Sequence, residues 1–308
     1  MKERLSDFFE TIRDSDLSWN FRHSPIAICA LFVTLVLMLS ALFAHAIAPF
    51  NPYDLASLDL MNAHLGPSWT EMGDERFWLG TDDQGRDLYS TILYGLRLSL
   101  KIGLISVLLS LILGVVLGLI SGFVGGRLDA CIMRICDIML SFPAILIALL
   151  IDGIARASLS QQVHDELAEP VLILAITLSG WVQYARTVRG QTLVEKQKDY
   201  VSAARLIGAG TGRILFKHLM PNVMSAVLVL ATVHVGTAVI TEATLSFLGV
   251  GVPPTTPSLG TLIRVGNEFL FSGEWWITIF PGLALVALVL SVNLLGDWLR
   301  DALNPKLR

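Results

Sequence analysis

Residues that carry out chemistry are scarce in this sequence. Its 308 residues include three cysteines and six histidines, and only 16% of the residues are charged. The cysteines, Cys29, Cys131 and Cys136, lie in or beside apolar runs and predict neither a disulfide framework nor a zinc site. A GxxxxGK[ST] phosphate loop, an HExxH zinc helix and a GxSxG serine turn are also missing from the sequence. We therefore predict a chain that is not an enzyme and that binds no metal and no cofactor.

Long apolar runs are the main feature that is present. Hydrophobic residues make up 54% of the chain, and several runs reach the roughly 20 residues that a helix needs to cross a bilayer. Backbone groups in lipid must be satisfied within their own segment, so such runs form helices. The predicted fold class is an all-α integral membrane protein with about six transmembrane helices. Five or seven crossings are the alternatives, because Arg134 and Asp137 interrupt the third run and the fourth is short. The predicted spans are 26–48, 102–124, 133–151, 171–185, 223–247 and 275–295.

The connections between these spans set the orientation. With a cytoplasmic N-terminus, 16 of the 22 lysines and arginines lie in cytoplasmic segments, as the positive-inside rule requires. The segment 49–101 is then extracytoplasmic, either as a folded lobe or as a solvated loop. The segment 1–25 is cytoplasmic, with Leu5, Phe8, Phe9 and Ile12 at amphipathic helical spacing. A five-helix core at 102–295 contains a cytoplasmic loop at 186–222, and 296–308 is a cytoplasmic tail.

The second span carries small residues at every fourth position. Side chains of this size allow another helix backbone to approach closely. We expect the partner to be a helix of the same chain, and a helix of a second subunit is the alternative. The stripe consists of Ser106, Ser110, Gly114, Gly118, Gly122 and Gly126.

Two acids within the spans need an explanation, because a charge at the bilayer centre costs about 2.5–3.5 kcal/mol. Asp137 lies near the cytoplasmic end of the third span and is predicted to pair with Arg134. Glu242 lies near the outer end of the fifth span. It is either part of an outer gate or pathway rim, together with Phe247, or a snorkelling or hydrogen-bonded structural acid. With neither acid central, the predicted pathway is uncharged, which argues against a proton relay.

The polar stretch DYVSAARLIGAGTGRILFKHLMPN, at 199–222, separates two apolar runs. Val201, Ala204 and Gly208 recur at helical spacing beside Ala203, and Gly208 suits a left-handed helix end. The pattern predicts a short helix whose flat, small-residue flank fits a cleft on another protein. Pro221 would then mark the entry to the fifth span. A surface helix without a partner is the alternative.

This stretch resembles the cytoplasmic EAA loop of ABC importer permeases. Ser202-Ala203-Ala204, Gly208 and Pro221 match the pattern EAA, three residues, Gly, nine residues, I-x-L-P, although Ser202 replaces the acid. His218 and Met220 replace the isoleucine and the leucine. The segments at 79–100, 242–263 and 281–308 resemble the C-type subunit of the dipeptide/oligopeptide permease family, with the type I importer fold. The candidate ATPase-docking residues are Tyr200, Ser202, Ala203, Ala204, Arg205, Gly208 and Pro221.

The resemblance implies half of the translocation pathway of an ATP-driven importer of peptides or similar small solutes. The expected partners are a homologous second permease, two cytoplasmic ATPases that bind ATP and Mg, an extracytoplasmic solute-binding protein and membrane lipid, with no nucleic acid. The expected location is the bacterial cytoplasmic (inner) membrane, with both termini cytoplasmic. The alternative function is a stand-alone secondary transporter or channel, which predicts an inverted repeat and broken, ionisable helices in mid-membrane.

Overall fold

The computed structural model describes residues 16–54, 58–71, 73–256 and 258–302. Over these ranges the chain forms helices joined by turns and loops, and the longest connection, between Ala48 and Asp87, contains a 3₁₀ turn at Leu60–Asn62. The predicted amphipathic positions Leu5, Phe8, Phe9 and Ile12 lie outside the described residues. The helices are α1 (Asp16–Arg22), α2 (Pro25–Leu42), α3 (Ala44–Ile47), α4 (Leu88–Val124), α5 (Gly126–Leu140), α6 (Ala144–Ser158), α7 (Gln161–Glu195), α8 (Asp199–Leu206), α9 (Thr211–Phe247), α10 (Leu259–Phe269) and α11 (Trp276–Ala302).

Five of these helices are long and apolar enough to cross a membrane, namely α2, α4, α7, α9 and α11. The pair α5 and α6 makes a sixth span if the two helices are counted together. The sequence prediction of about six spanning helices is therefore confirmed in number, and the chain is an all-α, multi-pass membrane protein.

The third predicted span is wrong as a single helix. Residues 133–151 are divided between α5 and α6, which meet at an angle of 90° across the break at 141–143. Pro143 explains the break, because it has no N–H to donate and because a proline disfavours helical backbone at the residue before it, here Phe142.

Four other predicted spans are shorter than the helices on which they fall, and one of them is the fifth, 223–247, within α9. The fourth, 171–185, is the middle of α7, whose 35 residues extend over about 50 Å. As a result, the first ten residues of the predicted loop 186–222 are helical. Helix α4, which contains the second predicted span, begins fourteen residues before that span. At its start the Asp87 carboxylate accepts the Ser90 N–H at 2.8 Å and caps the helix. Similarly, α11 continues into the predicted tail as far as Ala302.

The α4–α7 pair is the central contact of the fold, and the small-residue stripe lies within it. A Cβ atom built at Gly114 would lie 2.4 Å from Cβ of Tyr184, and one at Gly118 would lie 2.6 Å from the Ala185 carbonyl oxygen. Nearer the start of α4, the Ser110 hydroxyl donates to the Thr177 carbonyl at 3.1 Å. The remaining stripe residues facing α7 are Ser106, whose hydroxyl donates to the Ile173 carbonyl, and Gly122, which lies against Thr192. Gly126 lies outside this contact, at the start of α5.

The segment before α4 is a folded lobe rather than a solvated loop. Asp82 and Arg86 form an ion pair at 2.6 Å, with side chains 0% and 1% exposed. Arg86 also donates to the Pro254 carbonyl at 2.9 Å, and the indole of Trp276 donates to the Thr81 carbonyl at 3.2 Å. These contacts attach the lobe to the loop after α9 and to the start of α11.

Candidate functional site

Helix α8 lies at the end of the bundle where α4 and α7 terminate. Its Val201 and Ala204 side chains are buried, and they pack in one hydrophobic cluster with Leu119 of α4, Val188 of α7 and Leu215 of α9. The spacing of three residues places Val201 and Ala204 on the same helical face. One face of α8 is thereby fixed to three of the long helices.

The C-terminal end of α8 is closed by a Schellman motif. Gly208 has φ of +81°, its N–H donates to the Arg205 carbonyl at 3.0 Å, and the Ala209 N–H donates to the Ala204 carbonyl at 3.0 Å. This pair of hydrogen bonds requires a left-handed residue at the turn, which glycine adopts without steric strain. The left-handed helix end predicted at Gly208 is present.

The exposed side of α8 is not the one that the spacing pattern indicated. The predicted flank grouped Val201 and Ala204 as partner-facing residues, but both point into the chain's own core. Ser202, Ala203 and Arg205 are exposed instead. Beyond them, Leu206 and Ile207 are 89% and 86% exposed. The prediction failed because a small-residue flank is equally suited to packing inward, and the large apolar residues at the helix end were overlooked.

Polar contacts hold α8 from both sides. The Arg205 guanidinium lies 5.3 Å from the centre of the Phe123 ring at the end of α4. The Tyr200 hydroxyl donates to Glu195 at 2.8 Å and accepts from Asn222 at 3.1 Å. Burial, together with the adjacent Glu195 carboxylate, raises the pKa of Tyr200. Motion of α8 is therefore tied to α4, α7 and α9.

Pro221 does not mark the start of the fifth span, as the sequence suggested. Helix α9 begins ten residues earlier, and a π-helical turn at Ile214–Leu219 precedes the proline. Proline removes one backbone donor and its ring crowds the carbonyl four residues before it, so the helix widens just ahead of Pro221. Phe216 on this turn is 55% exposed.

Of the two acids within the predicted spans, Asp137 has a different partner from the expected one, and Glu242 is hydrogen-bonded, as one of its interpretations predicted. Asp137 pairs with Arg186 of α7 at 3.6 Å, rather than with Arg134. Glu242 is 0% exposed, so it does not snorkel, and its carboxylate accepts a hydrogen bond from the Ser246 hydroxyl at 2.8 Å. Phe247, the second gate candidate, is 40% exposed at the end of α9.

Two adjoining cavities lie at the opposite end of the bundle, where α7 begins and α9 ends. The larger is about 580 Å³, and Asp165, Glu166 and Glu169 contribute to its lining. The smaller is about 180 Å³, and Arg156, His164 and Arg264 contribute to its lining. Both cavities are lined by Asp165, Val252 and Pro253, so they share a wall. Sequence reasoning missed this site, because its residues come from α6, α7, α10 and a loop and form no local motif.

The comparisons with known proteins assign this arrangement to a class. Residues 114–308 match the model of the binding-protein-dependent transport system inner membrane component. Residues 15–67 match the N-terminal TM domain of oligopeptide transport permease C. The chain belongs to this permease family, and it is a permease subunit of the ABC importer type.

Individual relatives extend the match to nearly the whole chain. The chain is 41% identical to the di/tripeptide transport system permease protein DppC of Pseudomonas aeruginosa (strain UCBPP-PA14), over 94% of this chain and 91% of that protein. It is 38% identical to the glutathione transport system permease protein GsiD of Shigella flexneri serotype 5b (strain 8401), over 94% and 89%. Among solved structures, an inward-facing MetNI methionine ABC transporter chain is similar in fold, with a TM-score of 0.54 and 22% identity over 70% of this chain and 96% of that one.

Proposed function

We propose that this chain is one of two homologous permease subunits in an ATP-driven importer of short peptides. The family supports this proposal, and so do relatives named for di/tripeptide and glutathione transport. In this proposal ATP and Mg bind to two cytoplasmic ATPase subunits, and an extracytoplasmic solute-binding protein delivers the peptide. The chain itself binds no cofactor.

The observation that carries the coupling role is the exposed apolar end of α8. Leu206 and Ile207 are almost fully exposed. The opposite face of α8, in contrast, packs into the core of the chain. Apolar groups exposed in this way mark a protein or membrane contact. The Schellman turn and the buried face of α8 keep these two residues at a fixed position relative to α4, α7 and α9. We infer that an ATPase subunit binds here and that its movement is transmitted to the spanning helices.

The orientation of the chain in the membrane follows from the charges at the end of the molecule that contains α8. Five basic residues lie in or close to α8 in the sequence, namely Lys196, Lys198, Arg205, Arg213 and Lys217. Under the positive-inside rule they support a cytoplasmic location for this end of the molecule. The N- and C-termini are then cytoplasmic, in the inner membrane of a bacterium. The lobe before α4 and the two cavities lie on the extracytoplasmic side.

Co-purification of the ATPase subunits tests the docking surface. We expect Ile207→Asp to abolish ATPase association, because the interface would have to bury an unpaired carboxylate. Met61→Asp is the matched control, because Met61 is 87% exposed but lies in the lobe before α4. ATPase retention by the Ile207 variant, at the level of the Met61 variant, would rule out docking at this end of α8.

The stand-alone transporter is the rejected alternative. It predicted a broken helix pair, and the bend between α5 and α6 is one. However, family membership over 63% of the chain, residues 114–308, favours an ATP-driven importer. Uptake that persists with inactive ATPases and stops when the proton gradient is collapsed would restore the alternative.

A further inference from the structure

A histidine lies at the middle of a spanning helix. In α9, His234 comes 12 residues after Asn222 and 13 residues before Phe247, which places it about 18–20 Å along the helix from each of them. Its Nε2 lies 2.8 Å from Oε1 of Gln183 on α7. An ionisable side chain at this depth faces the interior of the bundle or a water-filled cavity, because contact with hydrocarbon is costly.

The inner side of the imidazole ring is fixed by packing. The ring of Tyr184 meets the ring of His234 edge-on, with the ring centres 4.7 Å apart. Tyr184 is fully buried and lies against Gly114 of α4. The close contact between α4 and α7 therefore positions His234, and the bond to Gln183 sets the direction of its outer side.

Gln183 is exposed and keeps unused hydrogen-bonding capacity. Its Oε1 is bonded to His234, and its NH₂ group donates to no atom in the described part of the chain. Both N–H groups of a glutamine amide are donors, and neither finds an acceptor in hydrocarbon. The exposed side of Gln183 is therefore suited to water or to a polar partner, and not to lipid tails.

Threonine hydroxyls continue this polar surface along α9 towards its outer end. Thr237, Thr241 and Thr244 follow His234 at intervals of three, four and three residues, which places them on one side of the helix. Thr237 is exposed and the other two are partly exposed. The three hydroxyls donate to backbone carbonyls four residues earlier, at 3.3, 2.8 and 2.8 Å. Each oxygen can still accept a hydrogen bond from outside the helix.

The exposed surface of α11 has a different character at the same depth. Its exposed residues between Trp276 and Leu290 are all apolar and recur every three or four positions, so they form one face. They are Ile279, Leu283, Val286 and Leu290. Acyl chains match such a face. The α7–α9 surface carries an amide, an imidazole and hydroxyls instead, so its surroundings are not hydrocarbon.

We propose that this surface is one wall of the water-filled translocation pathway. The α7–α9 wall consists of Gln183, His234, Thr237, Thr241 and Thr244. The amide of Gln183 and the threonine oxygens exchange hydrogen bonds with water and with polar groups of the passing solute. Because the wall contains neither an acid nor a lysine or arginine, it can replace part of the solute's hydration without holding a charged group in place. This inference rests on the proposed function and names the residues through which this subunit meets the solute inside the membrane.

Thiol accessibility tests the wall, in the complete permease–ATPase complex in lipid nanodiscs. Cys29, Cys131 and Cys136 are first replaced by alanine. Thr237→Cys and Val286→Cys are then treated with 2-sulfonatoethyl methanethiosulfonate, a charged reagent that attacks only where water allows a thiolate to form. Val286 is the matched control, because it is 60% exposed and because both positions lie ten residues from the outer end of their helix.

The expected result is a difference in rate between the two helices. Thr237→Cys should react about tenfold faster than Val286→Cys, or more, in the nucleotide-free complex or in the complex trapped with ATP and vanadate. Gln183→Cys is a second position on the wall and should react as fast as Thr237→Cys. Mass spectrometry of this chain excludes signals from cysteines of the other subunits. Reaction as slow as that of Val286→Cys in both states, at either position, would overturn the proposal, because the surface would then contact lipid or a second subunit.

Transport measurements separate a pathway role of His234 from a purely structural one. His234→Leu removes the hydrogen bond to Gln183 and places an apolar group in the wall. We expect ATP-driven uptake of tri-alanine in proteoliposomes to fall about fivefold or more, while the midpoint of thermal unfolding stays unchanged. His234→Gln keeps an N–H donor and should recover part of the uptake. Unchanged uptake by His234→Leu, or a fall accompanied by an equal loss of stability in both variants, would remove His234 from the wall.

Failure of the wall and failure of the proposed function are separable. Wild-type proteoliposomes supplied with the solute-binding protein and ATP are assayed for tri-alanine uptake in parallel. Uptake by the wild type together with slow thiol reaction at Thr237→Cys would reject the wall and leave the importer function standing. An absence of ATP-driven uptake by the wild type would reject the function itself.

Discussion

The Ala209 N–H donates to the carbonyl oxygen of Ala204 at 3.0 Å, across the left-handed turn at Gly208. This bond closes the end of α8 directly beside Leu206 and Ile207. The apolar surface proposed for ATPase docking is therefore held by backbone hydrogen bonds as well as by the buried Val201 and Ala204.

Substitution of Gly208 tests the docking role. A Cβ at this position meets no atom within 4 Å, so Gly208→Ala introduces only backbone strain of about 1 kcal/mol. Gly208→Asp introduces similar strain and a charge beside Leu206 and Ile207. We expect ATP-driven uptake in proteoliposomes to fall about tenfold or more for the aspartate variant and far less for the alanine variant. Normal uptake by Gly208→Asp would count against docking.

Gly114 tests the close contact between α4 and α7. Because a Cβ there would lie 2.4 Å from Cβ of Tyr184 and 2.5 Å from the Trp181 carbonyl oxygen, we expect Gly114→Ala to destabilise the fold by about 1–3 kcal/mol. Thermal unfolding in detergent measures this change. Gly190→Ala on α7 is the control, because nothing lies within 4 Å of that position, and it should be neutral or stabilising. Equal midpoints for the two variants would contradict the contact.

The buried ion pair of the lobe is tested by removing one partner. Arg86→Ala leaves the Asp82 carboxylate buried and unpaired, which is expected to cost about 3–5 kcal/mol. Limited proteolysis of the lobe reports the loss, and Arg76→Ala at the exposed Asp74 pair should leave the cleavage rate unchanged. The account of the lobe is incorrect if both variants are cleaved equally fast.

Glu242 distinguishes a structural acid from a pathway residue. Glu242→Gln keeps an acceptor for the Ser246 hydroxyl, whereas Glu242→Ala removes it and leaves a void, at a cost of about 2–4 kcal/mol. If the acid is only structural, the glutamine variant retains stability and uptake, and the alanine variant loses stability. A glutamine variant that is stable but inactive in uptake would assign Glu242 to the pathway.

The sequence allowed the fold class to be predicted, because about 20 apolar residues in a row leave a helix as the only structure that satisfies its backbone in lipid. It did not allow the helix ends to be predicted. Hydropathy detects the lipid-facing part of a helix, and both ends of α7 carry charged residues such as Asp165 and Arg189. In the fold, Arg189 forms an ion pair with Asp129 of α5 at 2.6 Å. No local sequence pattern reveals this contact.

The candidate sites likewise include some features that could be predicted from the sequence and others that could not. Gly208 could be assigned from sequence because a left-handed helix end has a local requirement for glycine. The inward direction of Val201 and Ala204 could not, since a small apolar flank suits either an internal or an external partner. The outer cavities were beyond sequence reasoning, because His164 and Arg264 are one hundred positions apart and meet only through the packing of α7 and α10.

The close packing of α4 on α7 also decides which parts of the molecule can deform. With glycines at the contact, the α4 backbone lies directly against α7, which leaves little room for one helix to shift against the other. We therefore expect the pair to move as one body along its length of about 50 Å. Bending must then be concentrated where backbone hydrogen bonds are interrupted, at the right-angled corner before Pro143 and at the widened turn before Pro221.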